Sequence, residues 1–483
     1  MAAPVTEGAR QFHGIAADSR EIRPGFLFAA LSGSRTSGAQ FIEDAVKRGA
    51  VAVLGSPDLA DTVKALGVKF FPAANPRQRL ARIAADFYGA QPLTIAAVTG
   101  TNGKTSVAAF VRQIWAHQGL KSASLGTVGI DSPSGHVSLG HTTPDPVRLH
   151  AELARLKSEG IDHLAIEASS HGLDQYRLDG LKIAAAGFTN ITRDHLDYHN
   201  TFGNYLAAKM RLFSELLPDT GAAVINADAA HADEFISASR KRNLRILTVG
   251  RQGTGLRLIA QSPQPRGQSL TVRYLDREHR ILLPLAGEFQ ASNALIAAGM
   301  TLATGDAAEA VFAALERLKG APGRLELVAR TRQGASIFVD YAHTPDAIET
   351  VLKALRPHVT GGLHIVFGCG GDRDKGKRPL MAAAAARFAD SVIVTDDNPR
   401  SEDPAVIRKE ALAGAPGARE IPGRSEAIRE AVAALAPDDA LIIAGKGHED
   451  YQIIGHEVLP FSDRVEAAKA ARALGGEAVE EAA

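Results

Sequence analysis

The sequence predicts an α/β protein of three domains: a small N-terminal α/β domain, a central domain with a parallel sheet plus a small antiparallel sheet, and a C-terminal Rossmann-like domain. Three observations predict it. Short apolar, β-branched runs alternate with stretches of helical spacing along most of the 483 residues. One run, residues 93–98, opens into a glycine-rich turn and then into apolar residues at helical spacing. Residues 255–285 break the alternation with strand-like segments in direct succession, the pattern of an antiparallel meander.

Composition sets the outer bounds. A chain that is 45% hydrophobic and 22% charged is ordinary for a soluble globular protein, and this length allows about three domains. The net charge is +0, so no global basic field points to nucleic acid or to an anionic membrane. The single cysteine, Cys369, rules out an internal disulfide and fits a reducing compartment. Residues 1–10 lack the apolar core of a signal peptide, and no uncharged apolar run reaches membrane-spanning length. The expectation is a cytoplasmic protein with neither nucleic-acid partner nor membrane insertion.

Residues 1–91 read as the first domain. Strands are expected at 26–31 and 50–54, with a short helix between them carrying Phe41, Ala45 and Val46. Ser19 lies just before the first strand expected, and Ser34, Arg35 and Thr36 lie in a loop; on spacing alone both read as solvated turn chemistry. Gln91-Pro92 marks a boundary into a central domain over 92–321.

There, Gly100-Thr101-Asn102-Gly103-Lys104-Thr105-Ser106 follows a buried strand and precedes a helix. Strand, glycine loop and helix form a phosphate cradle: backbone N–H groups approach the anion and the helix dipole favours it. Lys104 would reach outer phosphates and the Thr105 hydroxyl would hold Mg²⁺. The first glycine of the full pattern would fall where Val98 stands, so a purely structural turn is the alternative. Further on, Thr142 and Thr143 sit in a loop before a leucine-rich helix. The strand at 163–167 ends in Glu167, and carboxyl ends of parallel strands are where ligands lie. Glu167 is read as facing the Mg²⁺ near Thr105, or else solvent. After the strand at 185–191, residues 192–199 are dense in metal and phosphate partners, among them His195. In the next helix Lys209 reads, on pattern alone, as an ordinary helical lysine.

Ala321-Pro322-Gly323 leads into the third domain, 322–483. Strands at 336–340, 363–367, 391–395 and 440–444 alternate with helices, the pattern of a doubly wound parallel sheet. Each ends in a charged or glycine-rich turn, so one rim of the sheet should be rich in charge. The tail after Glu477 is expected to fray.

Taken together, Gly100-Thr101-Asn102-Gly103-Lys104-Thr105, Glu167-Ala168-Ser169-Ser170-His171-Gly172, Arg193-Asp194-His195-Leu196-Asp197, Asn293, Pro322-Gly323-Arg324 and Asp340-Tyr341-Ala342-His343 resemble the Mur ligase family, in family order across all the inferred domains. Residues 368–379 and Asp397-Asn398-Pro399-Arg400 are similar to the branch that adds the third residue of the peptide. The resemblance implies an ATP-dependent carboxylate–amine ligase of peptidoglycan precursor synthesis. ATP would phosphorylate the D-glutamyl carboxylate of UDP-MurNAc-L-Ala-D-Glu, and an amine would attack the acyl phosphate.

It also implies roles. Thr105 and Glu167 would hold one Mg²⁺, and His195 with Lys209 a second, Lys209 as N6-carboxylysine. Lys104, Glu167, His195 and Lys209 would be catalytic. Gly100, Thr101, Asn102, Gly103, Lys104, Thr105, Ser106, Asn293, Arg324, Asp340 and His343 would hold ATP. Ser19, Ser34, Arg35 and Thr36 would meet UDP, while Thr142, Thr143, Ser169, Gln175 and Arg177 would hold the sugar-peptide. His141 stands where the family pattern carries a polar amide. Arg373, Asp397, Asn398, Pro399, Arg400, Gly445 and Glu449 would bind the amino acid, with Glu449 facing an ammonium. The planar fork of Arg400 suits a carboxylate, which favours meso-diaminopimelate over lysine. The resemblance further implies a monomer whose domains close around the substrates. The rival readings are a folylpolyglutamate synthetase, a P-loop phosphotransferase without amide formation, and a non-catalytic binding module.

Overall fold

The computed structural model describes residues 12–33, 37–264 and 266–479. The chain forms two compact units: Met1–Lys104 with Trp115–Val249 and Gly299–Asp306, and Thr105–Ile114 with Gly250–Ala298 and Ala307–Ala483.

In the first unit a 4-stranded parallel sheet runs in the order Gly14–Ala16, Phe26–Ala29, Ala50–Gly55, Lys69–Pro72. Its side chains alternate between two cores. Phe28 and Val53 pack with Ile42 and Ala45, whereas Leu27 and Leu54 pack with Leu80, Ile83 and Ala84 of the helix Pro76–Tyr88. That helix starts where Asn75 accepts the Gln78 N–H at 3.1 Å and Pro76 takes the first turn. The sequence reading began this sheet at residue 26. The strand Gly14–Ala16 precedes it, so Ser19 lies between two strands, in a turn capped by Asp18.

The larger sheet of this unit holds Arg245–Gly250, Ala222–Asn226, Ile183–Phe188, Thr94–Thr99, His163–Glu167 and Ser122–Gly126, all parallel. Gly129–Ser132 and Gly135–Val137 extend it antiparallel. After Thr94–Thr99 the chain builds one side of the sheet and then returns to the other with Ile183–Phe188. The carboxyl end of Thr94–Thr99 therefore faces a crevice where flanking loops diverge. On one face Ile95, Ile166 and Phe188 form a continuous core with Phe235 of the helix Ala232–Lys241, Phe188 and Phe235 stacking at 3.8 Å between centroids.

In the second unit the expected meander is present: Leu256–Gln264, Gly267–Tyr274 and Arg277–Leu283 pair antiparallel. A 7-stranded sheet follows in the order Arg419–Glu420, Ser391–Asp396, Leu363–Cys369, Ala440–Ala444, Ser336–Asp340, Glu326–Arg330, Glu477–Ala478. The neighbours from Arg419–Glu420 to Ser336–Asp340 are parallel and the last two strands antiparallel. Apolar clusters cover both faces, as a doubly wound sheet requires. One expectation is corrected here. The tail does not fray at once after Glu477, because Glu477 and Ala478 pair with Arg330 and Ala329 at the sheet edge.

Buried ion pairs fasten the turns at the strand ends. Arg424 and Asp463 are wholly buried, and the Arg424 guanidinium also donates to the carbonyls of Asp396 and Ala444. Arg378, likewise buried, holds Glu402 at 2.9 Å and Glu410 at 2.6 Å. Glu402 in turn accepts the Asp372 N–H at 2.7 Å, which anchors the loop after Leu363–Cys369. The Arg378 hydrogen bonds pull the Glu402 carboxyl from 4.5 to about 2. A depressed folded-state value stabilises the fold above the unfolded value and ceases to do so as pH falls through the folded one. The stability lead of wild type over Glu402→Gln should be full at pH 6 and shrink progressively between about pH 4.5 and 2, measured as urea midpoints.

Candidate active site

In the first unit the loop after Thr94–Thr99 has the geometry that the glycines require. Gly100 has φ of +151°, and a Cβ there would lie 1.9 Å from the Thr189 hydroxyl. Gly103 has φ of +86° and precedes the helix Lys104–His117. Asn102 donates its N–H to Asn190 Oδ1 at 3.0 Å, and its carbonyl accepts the Thr189 hydroxyl at 2.6 Å. Thr101 Oγ1 meets the Tyr205 hydroxyl at 2.9 Å. The Lys104 ammonium folds back onto the carbonyls of Gly100 and Thr101 at 2.9 and 2.8 Å. Thr105 and Ser106 lie buried in the first helical turn.

Glu167 does not face solvent; it is 1% exposed. Its carboxylate accepts the Thr127 N–H at 2.8 Å and the Thr127 hydroxyl at 3.1 Å. A Cβ on Gly126 would lie 2.0 Å from Glu167 Oε1, so any larger residue there would displace the carboxylate. Neither Gly126 nor Thr127 was singled out from the sequence, since Gly-Thr after a strand has many uses.

Lys209 is the clearest departure from the pattern-based reading. It is 1% exposed on the helix Phe202–Arg211. Its ammonium donates to the Gly100 carbonyl at 2.6 Å and lies 4.6 Å from the Tyr205 ring centroid. Burial, helped by the nearby Lys104 charge, holds its amine well below the usual lysine range. His195, half exposed and with φ of +51°, packs edge-on against His171 at 4.9 Å. Among the described residues no group of three or more His, Cys, Asp or Glu is spaced to hold a metal by itself.

The residues assigned to the sugar-peptide converge. Thr143 Oγ1 meets Ser169 Oγ at 2.9 Å, and Arg177 donates to the Thr143 carbonyl at 2.6 Å and to Gln175 Oε1 at 2.8 Å. Thr142 joins the cluster through Thr127 at 3.0 Å. Tyr198, which the sequence reading left without a role, links Gln175 to Asp174 through its hydroxyl. Ser19 is buried in its capped turn. Ser34, Arg35 and Thr36 lie outside the described residues.

In the second unit Asp340 is buried and accepts the N–H groups of Leu325 at 2.6 Å and Ala342 at 2.8 Å. Burial raises its carboxyl against the opposing pull of Arg324. The Arg324 guanidinium lies 4.8 Å from the Tyr341 ring centroid, and His343 Nδ1 is 2.8 Å from the Tyr341 carbonyl. Gln290 connects Asn293 to the Arg324 carbonyl, another link the sequence did not expose.

Asp397, Asn398, Arg400, Gly445 and Glu449 gather at the carboxyl ends of Ser391–Asp396 and Ala440–Ala444. Arg400 has φ of +52° and donates to the Gly371 carbonyl at 2.9 Å. Asn398 Nδ2 donates to Glu449 Oε2 at 3.0 Å. A Cβ on Gly445, which has φ of +115°, would lie 2.7 Å from Asp397 Oδ2. Pro399 packs over Gly371, where a Cβ would meet its carbonyl at 1.9 Å. Arg373 projects from the 370–376 loop and is exposed. Lys446, absent from the sequence-based site, is wholly buried between Asn398 and Glu449. Glu449, expected to await an ammonium from a ligand, already has one from the chain.

Comparison with known proteins places the whole chain in one family. Residues 11–88 match the Mur ligase family catalytic domain, 98–301 the Mur ligase middle domain, and 323–447 the Mur ligase glutamate ligase domain. The UDP-N-acetylmuramoyl-L-alanyl-D-glutamate–2,6-diaminopimelate ligase of Bradyrhizobium diazoefficiens is 56% identical over 472 residues, covering 96% of each chain. That of Caulobacter vibrioides is 51% identical, covering 95% of each. A solved ligase of the same description is 36% identical, with a TM-score of 0.74 over 96% of this chain and 95% of that one. A Mycobacterium tuberculosis folylpolyglutamate synthase shares the fold, at 20% identity and a TM-score of 0.61 over 76% of this chain and 92% of that one. With all the matched segments in order and more than half of the residues shared along nearly the whole length, the chain belongs to the Mur ligase family.

Proposed function

We propose that this chain is the ligase that joins meso-2,6-diaminopimelate to the D-glutamyl carboxylate of UDP-MurNAc-L-Ala-D-Glu, with ATP cleaved to ADP and phosphate. The carboxylate takes the terminal phosphoryl group of ATP, giving an acyl phosphate and ADP. The amine attacks that carbonyl, phosphate leaves, and the amine proton is lost to solvent or a base. The enzyme would work in the cytoplasm, as a monomer, in peptidoglycan precursor synthesis.

The observation that carries the amino-acid assignment is the gathering of Arg400, Asn398 and Glu449 at one set of strand ends. A guanidinium there is matched by the distal carboxylate of diaminopimelate and opposed by the distal ammonium of lysine. High identity to relatives described as diaminopimelate ligases supports the same reading.

The P-loop side chains account for the phosphates. The Gly100 and Thr101 carbonyls that hold the Lys104 ammonium would give it up to the outer phosphates of ATP. Asn293, Arg324, Asp340 and His343 are the candidates for the rest of the nucleotide. Glu167 fits Mg²⁺: Thr127 occupies part of each oxygen's acceptor capacity and fixes the carboxylate plane, leaving hard oxygen lone pairs. With Thr105 it would hold one ion, and His195 with modified Lys209 a second. Bound Mg²⁺ would neutralise charge where two polyanions meet. The depressed basicity of Lys209 leaves a fraction of neutral amine, which adds to CO₂ with loss of a proton to give N6-carboxylysine. That converts a buried cation into an anion suited to a cation site.

The test is phosphate release by the purified chain. It should require UDP-MurNAc-L-Ala-D-Glu and meso-diaminopimelate together, and L-lysine should substitute poorly; release without an amine would refute ligation. A second outcome concerns Gly126→Ala. Its methyl displaces the Glu167 carboxylate, so half-maximal activity should need roughly tenfold more Mg²⁺, with little change in the far-UV spectrum.

A further inference from the structure

Lys446 is a fully buried ammonium that the reaction just described does not use. Its Nζ donates to Asn398 Oδ1 at 3.1 Å and to Glu449 Oε2 at 3.2 Å, and lies 5.5 Å from the Tyr451 ring centroid. Asn398 closes the triangle by donating its Nδ2 to the same Glu449 oxygen at 3.0 Å. Asn398 Oδ1 also accepts the Ile453 N–H at 3.0 Å, so the triangle ties the 397–400 loop to the hairpin Tyr451–Ile454 with Glu457–Pro460. Arg400 is bound to the same hairpin, donating its N–H to the Ile453 carbonyl at 3.1 Å and accepting the Gly455 N–H at 2.8 Å. Glu449 Oε2 is thus doubly engaged, while its Oε1 takes no hydrogen bond among the described residues.

We infer that Lys446 is a positioning and specificity-determining residue for the amino-acid substrate: by clamping Asn398 and one oxygen of Glu449, it aims the other oxygen at the incoming ammonium and fixes its distance from Arg400. The inference rests on the diaminopimelate reading and extends it. Charge gives the device a second effect. The Lys446–Glu449 pair is neutral as a unit, so Glu449 adds no net negative charge beside Arg400, whose guanidinium selects for a distal carboxylate. Removing the Lys446 charge leaves the Glu449 anion to offset Arg400, which relaxes the exclusion of an amino acid ending in an ammonium alone.

Lys446→Met keeps an unbranched side chain, one heavy atom shorter, and removes the charge. It should raise the meso-diaminopimelate KM at least tenfold while the KM values for ATP and the UDP-linked dipeptide stay within about twofold. The ratio of kcat/KM for meso-diaminopimelate over L-lysine should fall about tenfold, and Lys446→Arg should recover part of both losses. Equal changes in all the KM values, an unchanged substrate ratio, or Arg doing no better than Met would overturn the inference. If Met prevents folding, Lys446→Arg alone decides: a displaced donor should shift the diaminopimelate KM and the substrate ratio, and leaving both at wild-type values would overturn it. Wild-type enzyme run alongside separates the two readings. If it does not ligate meso-diaminopimelate, the proposed function fails; if it does and the variants match it, only the role of Lys446 fails.

Discussion

Lys209→Ala should lower the ligation rate by about a thousandfold, the range expected when a preorganised charged group at a reacting phosphoryl centre is lost. The effect should fall on kcat, because no substrate-binding role is assigned to Lys209. The structure gives this lysine the lowered basicity that the proposed modification would need. It is buried and close to the Lys104 charge, so its protonated form is disfavoured despite the Gly100 carbonyl and the Tyr205 ring beside it. A carbamate on Nζ would disperse that cationic crowding. If the modified side chain acts as a carboxylate, a small one supplied from solution should restore part of the activity to Lys209→Ala. Formate and acetate, titrated to high concentration at constant ionic strength, are the reagents. Restoration should saturate and be absent with chloride; no restoration at any concentration would count against the carbamate. Mass spectrometry of wild type is uninformative by comparison, since carbamates are lost on acidification.

Arg400→Ala should produce the other large effect, and on a different parameter. Two charge-assisted hydrogen bonds to a carboxylate vanish, so the meso-diaminopimelate KM should rise roughly a hundredfold. The ATP KM should move by no more than about twofold, since the change lies in binding one substrate only. Equal rises in both would remove Arg400 from the amino-acid site. L-Lysine should respond in the opposite sense, because its ammonium no longer meets a like charge. Initial rates with each amine at saturating ATP and UDP-linked dipeptide settle the comparison.

Much of this was legible beforehand, and the reasons are local. The strand Thr94–Thr99, its glycine turn and the helix Lys104–His117 announce themselves because period, φ demand and capping agree within a short window. The alternation of strands and helices in the second unit was legible for the same reason. Gly14–Ala16 was missed because three residues cannot display a period, and Lys69–Pro72 because a half-exposed strand shows little apolar contrast. Asn75-Pro76 is the local signal that starts the helix Pro76–Tyr88. Side-chain partnerships are a harder case. Glu167 with Thr127, Asn293 with Gln290 and Arg324, and Lys446 with Asn398 and Glu449 depend on which strand ends become neighbours. Lys209 shows the limit most plainly: its position in the helix is that of any solvated lysine, and only tertiary enclosure makes it chemically unusual.

The backbone of Arg400 has a consequence for redesign. At φ of +52° an L-residue sits in a region that β-branched side chains tolerate poorly, and its N–H and carbonyl are both committed to the 451–455 turn. Replacing Arg400 is therefore not a free choice among twenty side chains. Asparagine, aspartate and glycine can occupy that backbone at low cost, whereas valine, isoleucine or threonine would first have to remodel the turn. A library built at this position should be weighted accordingly, or should vary residue 400 and residues 453–455 together.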